Sequence, residues 1–167
     1  MLLWVVRHAI AADASEYRTD DERPLTDKGR RKFRGLTEFL ARQDRLPNLV
    51  VSSSLVRAVQ TAEILVESLS LDSAQHLISA NLYPAFRLES LVEQINSLAA
   101  KLPSRTDSLI ALVGHEPDMS RTVSQLTGGS HFDFGRGTTV CLDFAGEVSM
   151  GTGSVSWMLR PGLMGGR

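Results

Sequence analysis

The chain has 167 residues, a length typical of one domain that folds without disulfides or structural metals, and we predict a single domain over residues 1–167. Its net charge of −1 argues against nucleic-acid or membrane partners. Its lone cysteine, Cys141, excludes an intramolecular disulfide and a cysteine metal cluster. The sequence lacks an apolar run of membrane-spanning length and a signal-peptide pattern, so we predict a cytoplasmic protein.

The first half of the chain predicts two buried strands, each followed by a helix. Residues 2–6 form a uniformly apolar run, as expected for a strand covered on both faces. Residues 9–25 are polar and aperiodic, which predicts a long surface loop, and such loops in compact domains are often functional. Thr26 is expected to cap the first helix. A second strand, "NLVVSS", leads to a helix that Ser53 or Ser54 is expected to cap.

The second half predicts further strands and helices and a final antiparallel pair. A short strand near "HLI" precedes a helix whose apolar stripe runs from Leu88 to Leu102. The apolar strand "SLIALVG" precedes a helix that Asp118 is expected to cap and Gly128 to end. The segments "TTVCLDF" and "SVSWMLR" are typical of an antiparallel pair. Strands alternating with helices predict an α/β fold, a three-layer α/β/α sandwich with a mostly parallel mixed sheet.

Side chains that suit anion binding follow three of the predicted strands. They are Arg7 and His8 after the first strand, Ser53 and Arg57 after the second, and His115 after "SLIALVG". Ligands of open α/β sheets bind outside the carboxyl ends of the strands, so we expect these side chains to converge. Guanidiniums bind phosphate bidentately, and a helix amino terminus adds a favourable dipole. The pattern predicts an oxyanion site, in which Ser53 either donates to the phosphate or only caps its helix.

Four ordered segments of the chain carry a family resemblance. They are "VVRHAIA", "RPLTDKGRRKF", "VVSSSLVRAVQTAEIL" and "ALVGHEPDMSRTVSQLTG". Together they resemble the histidine phosphatase superfamily, which has the phosphoglycerate-mutase-like fold, and most closely its SixA-type phosphohistidine phosphatases. The resemblance implies a phosphatase that needs no metal or other cofactor. Its implied substrate is phosphohistidine in a protein, such as a histidine phosphotransfer domain of a signalling relay.

The resemblance also implies a role for each matching residue. His8 would be the nucleophile that attacks phosphorus and forms a phosphohistidine enzyme, which requires a neutral imidazole with one unprotonated nitrogen. Arg7, Arg57 and His115 would hold the transferring oxygens and stabilise their charge in the transition state. Water would then release phosphate.

Two features depart from the broader family. Ala9 stands where glycine is usual, although SixA-like members accept alanine there. The segment after residue 80 has no clear counterpart of the glutamate that serves many relatives as general acid, since Glu89 and Glu93 lie within a predicted helix. An alkoxide leaving group needs that proton more than the imidazole of phosphohistidine does. The missing acid therefore favours a phosphoramidate substrate over a sugar phosphate.

Three alternative functions remain open on the sequence. A broad phosphomonoesterase of a small phosphorylated metabolite would use Glu89 or a loop carboxylate as the acid. A non-catalytic module that binds phosphorylated partners would need the cations but not His8. A zinc hydrolase is disfavoured because Met119 occupies the place of the second histidine in a zinc-protease motif.

Other polar and aromatic residues have simpler interpretations. Arg23 either anchors the long loop or contacts substrate. Trp4 and Trp157 are expected in the core. A basic cluster on the first helix is typical of a solvated face, although it could also guide an acidic phosphoprotein. The members of this basic cluster are Lys28, Arg30, Arg31, Lys32 and Arg34.

Overall fold

A computed structural model describes residues 1–104, 107–129 and 131–163 of the chain. The predicted domain range 1–167 therefore includes residues 105–106, 130 and 164–167 that lie outside the described residues. The strands are β1 (Leu2–Arg7), β2 (Leu49–Ser52), β3 (His76–Ile78), β4 (Leu109–Gly114), β5 (Thr139–Asp143) and β6 (Ser154–Leu159). The α-helices are α1 (Asp27–Leu40), α2 (Val56–Ser68), α3 (Leu88–Ala99) and α4 (Asp118–Thr127). Among the described residues, no helix has the length and apolar character needed to cross a membrane.

The six strands form one mixed sheet in the order β3-β2-β4-β1-β5-β6. The pairs β1–β4, β2–β4 and β2–β3 are parallel, whereas β1–β5 and β5–β6 are antiparallel. The predicted mixed sheet and its closing antiparallel pair are confirmed. Because β1, β2 and β4 run in the same direction, their carboxyl ends meet at one edge of the sheet.

Helices cover both faces of this sheet, which confirms the three-layer α/β/α prediction. Alternate residues of β1 pack into the hydrophobic clusters on opposite faces of the sheet, since side chains alternate across a strand. Trp4 and Val6 pack with buried residues of α1 and α2, and Leu3 and Val5 pack with those of α3 and α4. Trp4 also meets Trp157 edge to face, with ring centroids 5.5 Å apart. Trp4 is a core residue, as predicted, whereas Trp157 is only partly buried against that core.

The predicted cap of α1 is confirmed, but those of α2 and α4 are wrong. Thr26 accepts a hydrogen bond from the Gly29 amide, as predicted. Helix α2 begins after Leu55, two residues beyond Ser53, and has no side-chain cap. Asp118 is the first residue of α4 rather than its cap, because its buried carboxylate accepts the Ala85 amide at 2.7 Å and pairs with an arginine. The Asp118 carboxylate, which the local pattern predicted to cap α4, is therefore used in tertiary hydrogen bonds instead.

The long loop after β1 is a surface segment, as predicted, but it contains local structure. Two short 3₁₀ turns, Ala14–Glu16 and Asp20–Glu22, lie within it. An antiparallel bridge between Ala11 and Leu25 closes its base. The loop therefore returns to the sheet edge where β1, β2 and β4 end.

Candidate functional site

The carboxyl ends of β1, β2 and β4 open into a cavity of about 530 Å³, called here the edge cavity. Four of the predicted side chains line it: Arg7, His8, Arg57 and His115. The sequence expectation that three separate strands deliver these groups to one place agrees with this geometry. The parallel register explains the convergence, because Arg7 of β1 lies beside Gly114 at the end of β4.

The backbone holds His8 firmly at this edge. Its amide donates to the Gly114 carbonyl at 3.0 Å, and its carbonyl accepts the Gly137 amide at 3.0 Å. The following Ala9 amide donates to the Thr61 hydroxyl of α2 at 3.1 Å. The segment carrying His8 is thus attached to β4, to the loop before β5 and to α2, so the imidazole is positioned by rigid elements.

Hydrogen bonding determines which nitrogen of His8 carries the proton. Nδ1 lies 2.7 Å from the Ala9 carbonyl oxygen, and a carbonyl can only accept, so Nδ1 is the donor. Nε2 accepts a hydrogen bond from Arg57 Nε at 3.3 Å and is therefore unprotonated. The lone pair of Nε2 is on the side of the ring that faces Arg57.

Burial keeps the His8 imidazole neutral. Burial, and then the nearby charges of His115, Arg57 and Arg7, lower the pKa of His8 to about 3 against the opposing effect of the Ala9 carbonyl. A neutral imidazole with one unprotonated nitrogen is a competent nucleophile at neutral pH.

His115 stands beside His8, with the two ring centroids 5.2 Å apart. Its pKa is lowered to about 4, chiefly by burial and then by Arg57. Neither ring nitrogen has a hydrogen-bond partner within the described parts of the chain. A buried imidazole without partners is costly, so this ring is suited to bind a polar group of a ligand.

Arg57, in the first turn of α2, uses every nitrogen of its guanidinium. Nε donates to His8, Nη1 donates to the Asp20 carbonyl at 2.6 Å, and Nη2 pairs with the Asp20 carboxylate at 2.7 Å. The Arg57 side chain is 5% exposed, whereas that of Asp20 is 53% exposed. A surface carboxylate therefore sits on a buried cation, in the position that a phosphoryl oxygen of a ligand could take.

Arg7 is less fully paired than Arg57. Its Nη1 donates to the Phe134 carbonyl, and its buried Nε has no hydrogen-bond partner among the described residues. Burial lowers the pKa of Arg7, and the charge of Arg136 lowers it further. Arg7 thus retains hydrogen-bonding capacity for an anion.

Several residues of the edge cavity were missed by the sequence reasoning. They are Asp13, Asp20, Glu116 and Arg136. Arg136 lies in the loop before β5, and that loop reaches this edge because β5 runs antiparallel to β1. The strand direction was the available signal, since an antiparallel strand begins where its parallel neighbours end.

Arg23 both lines the edge cavity and anchors the long loop. It donates to the Ala12 carbonyl at 3.3 Å and pairs with Asp20 at 2.9 Å. These contacts support the interpretation that Arg23 anchors the long loop. Its position also leaves Arg23 within reach of a ligand in the cavity.

Ser53 is not brought to the edge cavity. It is fully buried, its amide donates to the Val113 carbonyl at 3.0 Å, and its hydroxyl accepts the Leu55 amide at 3.4 Å. The hydroxyl is oriented by the turn between β2 and α2, so it serves that turn rather than the cavity that Arg57 lines.

The two glutamates considered as acids lie outside the edge cavity. Glu89 and Glu93 are exposed on α3, and Glu89 lies 4.0 Å from Arg87. Within the described residues, no group of three or more histidine, cysteine or acidic side chains is arranged to hold a metal ion.

Comparison with known proteins relates this geometry to a family. Residues 3–82 match the histidine phosphatase superfamily (branch 1). An uncharacterised protein of Picosynechococcus sp. is 31% identical over 130 residues, which cover 77% of this chain and 74% of that protein.

Solved structures share the fold over nearly the whole chain. The protein histidine phosphatase SixA in complex with tungstate has a TM-score of 0.85 at 24% identity, covering 99% of this chain and 100% of that one. A SixA protein from Agrobacterium tumefaciens has a TM-score of 0.76 at 22% identity, with 96% and 97% covered. A mycobacterial glucosyl-3-phosphoglycerate phosphatase has a TM-score of 0.68 at 16% identity, with 93% and 96% covered. The chain belongs to the histidine phosphatase superfamily, and this membership supports phosphatase activity.

Proposed function

We propose that the protein is a phosphatase that works through a phosphohistidine on His8 and that its substrate is phosphohistidine in a protein. The observation that carries this proposal is the state of His8. Nδ1 is committed to the Ala9 carbonyl, so the unprotonated Nε2 is the atom available to attack phosphorus. A histidine phosphotransfer domain of a cytoplasmic signalling relay is the partner we infer.

The reaction proceeds in two displacements. Nε2 of His8 attacks phosphorus as the bond from phosphorus to the substrate's imidazole nitrogen breaks, and the leaving imidazole retains or takes up a proton. Water then attacks the enzyme-bound phosphorus, the bond from phosphorus to Nε2 breaks, and inorganic phosphate departs with the oxygen of the water. Arg7, Arg57 and His115 stabilise the charge on the phosphoryl oxygens in both steps.

The engaged carboxylates favour a phosphoramidate substrate. Asp20 is paired with Arg57, Glu116 accepts hydrogen bonds from the Ser120 amide and hydroxyl, and hydrogen bonds from Ser15 lower the pKa of Asp13. These three carboxylates already accept hydrogen bonds or pair with a cation within the protein, so none of them is free of other contacts to serve a leaving group. Imidazole needs a donated proton less than an alkoxide does, so phosphohistidine suits this cavity. Of the proteins with this fold, SixA is named a protein histidine phosphatase.

Phosphate release from matched substrates tests this proposal. The purified protein and its His8→Ala variant would be incubated in chelator with a phosphohistidine-bearing protein, a phosphoserine peptide and phosphoramidate. We expect release from phosphohistidine and phosphoramidate by the wild type alone, insensitive to chelator, and mass spectrometry of rapidly quenched protein at alkaline pH should find a phosphoryl group on His8. Turnover without phosphorylated His8, or turnover preserved in His8→Ala, would contradict it.

A second candidate, a phosphomonoesterase of a small metabolite, has one specific observation in its favour. Glu116 lines the edge cavity next to His115 in sequence and carries a carboxylate, so this residue, not Glu89, is the acid to test. The mycobacterial phosphatase that shares the fold is named for a phosphorylated sugar acid. Under this alternative, Glu116→Gln slows hydrolysis of an alkyl phosphate far more than of p-nitrophenyl phosphate, whose leaving group needs no proton. Equal rates of the variant and the wild type on both esters would dismiss it.

A further inference from the structure

A second cavity, of about 510 Å³, lies beside the edge cavity and shares two of its lining residues, Arg7 and Arg136. We call it the basic cavity. Its walls come from α1, the loop before β5 and the turn after β6, which contribute Lys32, Arg136 and Arg160 respectively. These three segments are far apart in the sequence and meet only because β5 and β6 close the sheet next to β1.

The charge of the basic cavity is one-sided. Its cationic lining residues are Arg7, Lys32, Arg136 and Arg160, and no carboxylate lines it among the described residues. Four cations around one concavity produce a strong positive potential, which attracts anions.

Most of these cations lack an anionic partner. Lys32 and Arg136 make no ion pair or side-chain hydrogen bond to any described residue. Arg160 is paired with Asp133, whose carboxylate is exposed and lies 3.2 Å away outside the lining. Thr138 is fully buried in the wall, and its hydroxyl has no partner among the described residues. Lys32 and Arg136 therefore present hydrogen-bond donors that the described part of the chain leaves unused.

The position of Lys32 separates it from the rest of the basic cluster on α1. Arg34 pairs with Glu67 on α2 at 2.8 Å, as in an ordinary solvated face. Of the five members of the basic cluster, Lys32 alone lines the basic cavity. The interpretation as a solvated face therefore holds for Arg34 and does not account for Lys32.

We propose that the basic cavity is a substrate subsite for a second oxyanion, a carboxylate or phosphate carried by the same molecule whose phosphoryl group meets His8. Because Arg7 and Arg136 line both cavities, the two are adjacent, and we expect one extended ligand to contact both. The inference rests on the proposed function, under which the second oxyanion is a carboxylate side chain near the phosphohistidine of an acidic phosphoprotein. Guanidiniums suit this ligand, since their planar fork matches a carboxylate.

Steady-state kinetics on paired substrates test the subsite. The variants are Lys32→Gln and Arg160→Gln, which lie outside the edge cavity, and the matched control is Lys101→Gln, an exposed lysine beyond α3 that loses the same charge. The substrates are phosphohistidine peptides with flanking aspartates, the same peptides with asparagines, and phosphoramidate, which has no second anion. A phosphorylated hydroxy acid and its amide provide the small-molecule arm.

The subsite predicts a selective effect on KM. For the aspartate peptide, KM should rise about tenfold in Lys32→Gln and Arg160→Gln, the loss expected for one charge-assisted hydrogen bond, with kcat unchanged. The asparagine peptide, phosphoramidate and the Lys101→Gln control should show no change. The same selective rise confined to the phosphorylated acid would support the subsite and assign its anion to a small molecule.

Two results would overturn the subsite. One is an unchanged KM for both anionic substrates, and the other is an equal rise for phosphoramidate, which would mean only a general field effect. Failure of the proposed function is distinguishable, because it appears as wild-type inactivity on every phosphohistidine substrate. Fluorescence anisotropy of a labelled, unphosphorylated aspartate peptide reads the subsite without turnover, and binding equal in the wild type and both variants would also refute it.

Discussion

At the scale of single residues, the contact between Asp20 and Arg57 governs access to the candidate phosphate site. The carboxylate and carbonyl of Asp20 hold both terminal nitrogens of Arg57, and Arg23 holds the same carboxylate from the other side. A phosphoryl group that binds both terminal nitrogens of Arg57 competes with this carboxylate. Asp20 therefore acts as a competing anion that the protein carries within its own long loop.

Removing the charge of Asp20 should strengthen the binding of oxyanions. We expect Asp20→Asn to lower the inhibition constant of tungstate about tenfold, because Arg57 no longer exchanges one anion for another. Asp21→Asn is the matched control, since the neighbouring carboxylate bonds Tyr83 at 3.2 Å and does not line the edge cavity. The measurement is competitive inhibition at constant ionic strength. Weaker inhibition in Asp20→Asn than in Asp21→Asn would show that Asp20 instead holds Arg57 in its binding position.

At the scale of elements, the close approach of α1 to the segment after β1 depends on Gly29. A Cβ atom at this position would lie 2.2 Å from the Ile10 carbonyl oxygen, a backbone atom that cannot move freely. The same carbonyl accepts the Thr26 amide at 2.9 Å. The beginning of α1, the Thr26 cap and the chain just beyond His8 are thus packed without room for a side chain.

Two glycine substitutions in α1 should therefore have opposite effects. Gly29→Ala should destabilise the fold by about 1–3 kcal/mol through overpacking. Gly35→Ala, in the same helix and with no atom beyond its chain neighbours and the nearby helix backbone within 4 Å of the place its methyl group would take, should stabilise it by about 0.5–1 kcal/mol because glycine weakens helix interiors. Urea denaturation of both variants measures the difference. Equal stabilities would show that α1 can shift away from Ile10 at little cost.

At the scale of the whole molecule, two buried neutral histidines make the free energy of unfolding depend on pH. The pKa of His8 is about 3 and that of His115 about 4 in the folded protein, against an ordinary value of 6.5. Between these values the unfolded chain binds more protons than the folded one. The stability that rests on keeping the rings neutral is therefore complete above about pH 6.5 and is lost progressively as the pH falls toward 3–4.

Replacing one of these rings should flatten that dependence. His115→Gln should lose stability less steeply than the wild type between about pH 6 and 4, because one fewer proton is taken up on unfolding, a slope of up to about 1.4 kcal/mol per pH unit. His131→Gln, at an exposed position, is the matched control. Urea denaturation across this pH range provides the slopes. Parallel curves for wild type and His115→Gln would contradict the assigned burial of the neutral ring.

The architecture was largely predictable because its signals are local. Uniformly apolar runs marked β1 and β4, and Thr26 marked the beginning of α1, since each pattern reflects an interaction within a few residues. The caps expected from Ser53 and Asp118 failed for the opposite reason. The Ser53 hydroxyl accepts the Leu55 amide in the turn, and the Asp118 carboxylate accepts the distant Ala85 amide. The local capping pattern contains no information about these hydrogen bonds.

By itself the sequence determined the α/β/α layering and the meeting of Arg7, His8, Arg57 and His115, because parallel strands place their carboxyl ends at one edge whatever the details of packing. Only the tertiary structure decided which other charged groups reach that edge and how they pair. Asp20 reaches Arg57 by the return of a long loop, and Arg136 lies in the loop that precedes the antiparallel strand β5. The proton position of His8 depends on its own neighbour's carbonyl and on Arg57. Charge pairing and tautomers depend on distances of a few ångströms between segments that are remote in the chain, and such distances exist only once it has folded.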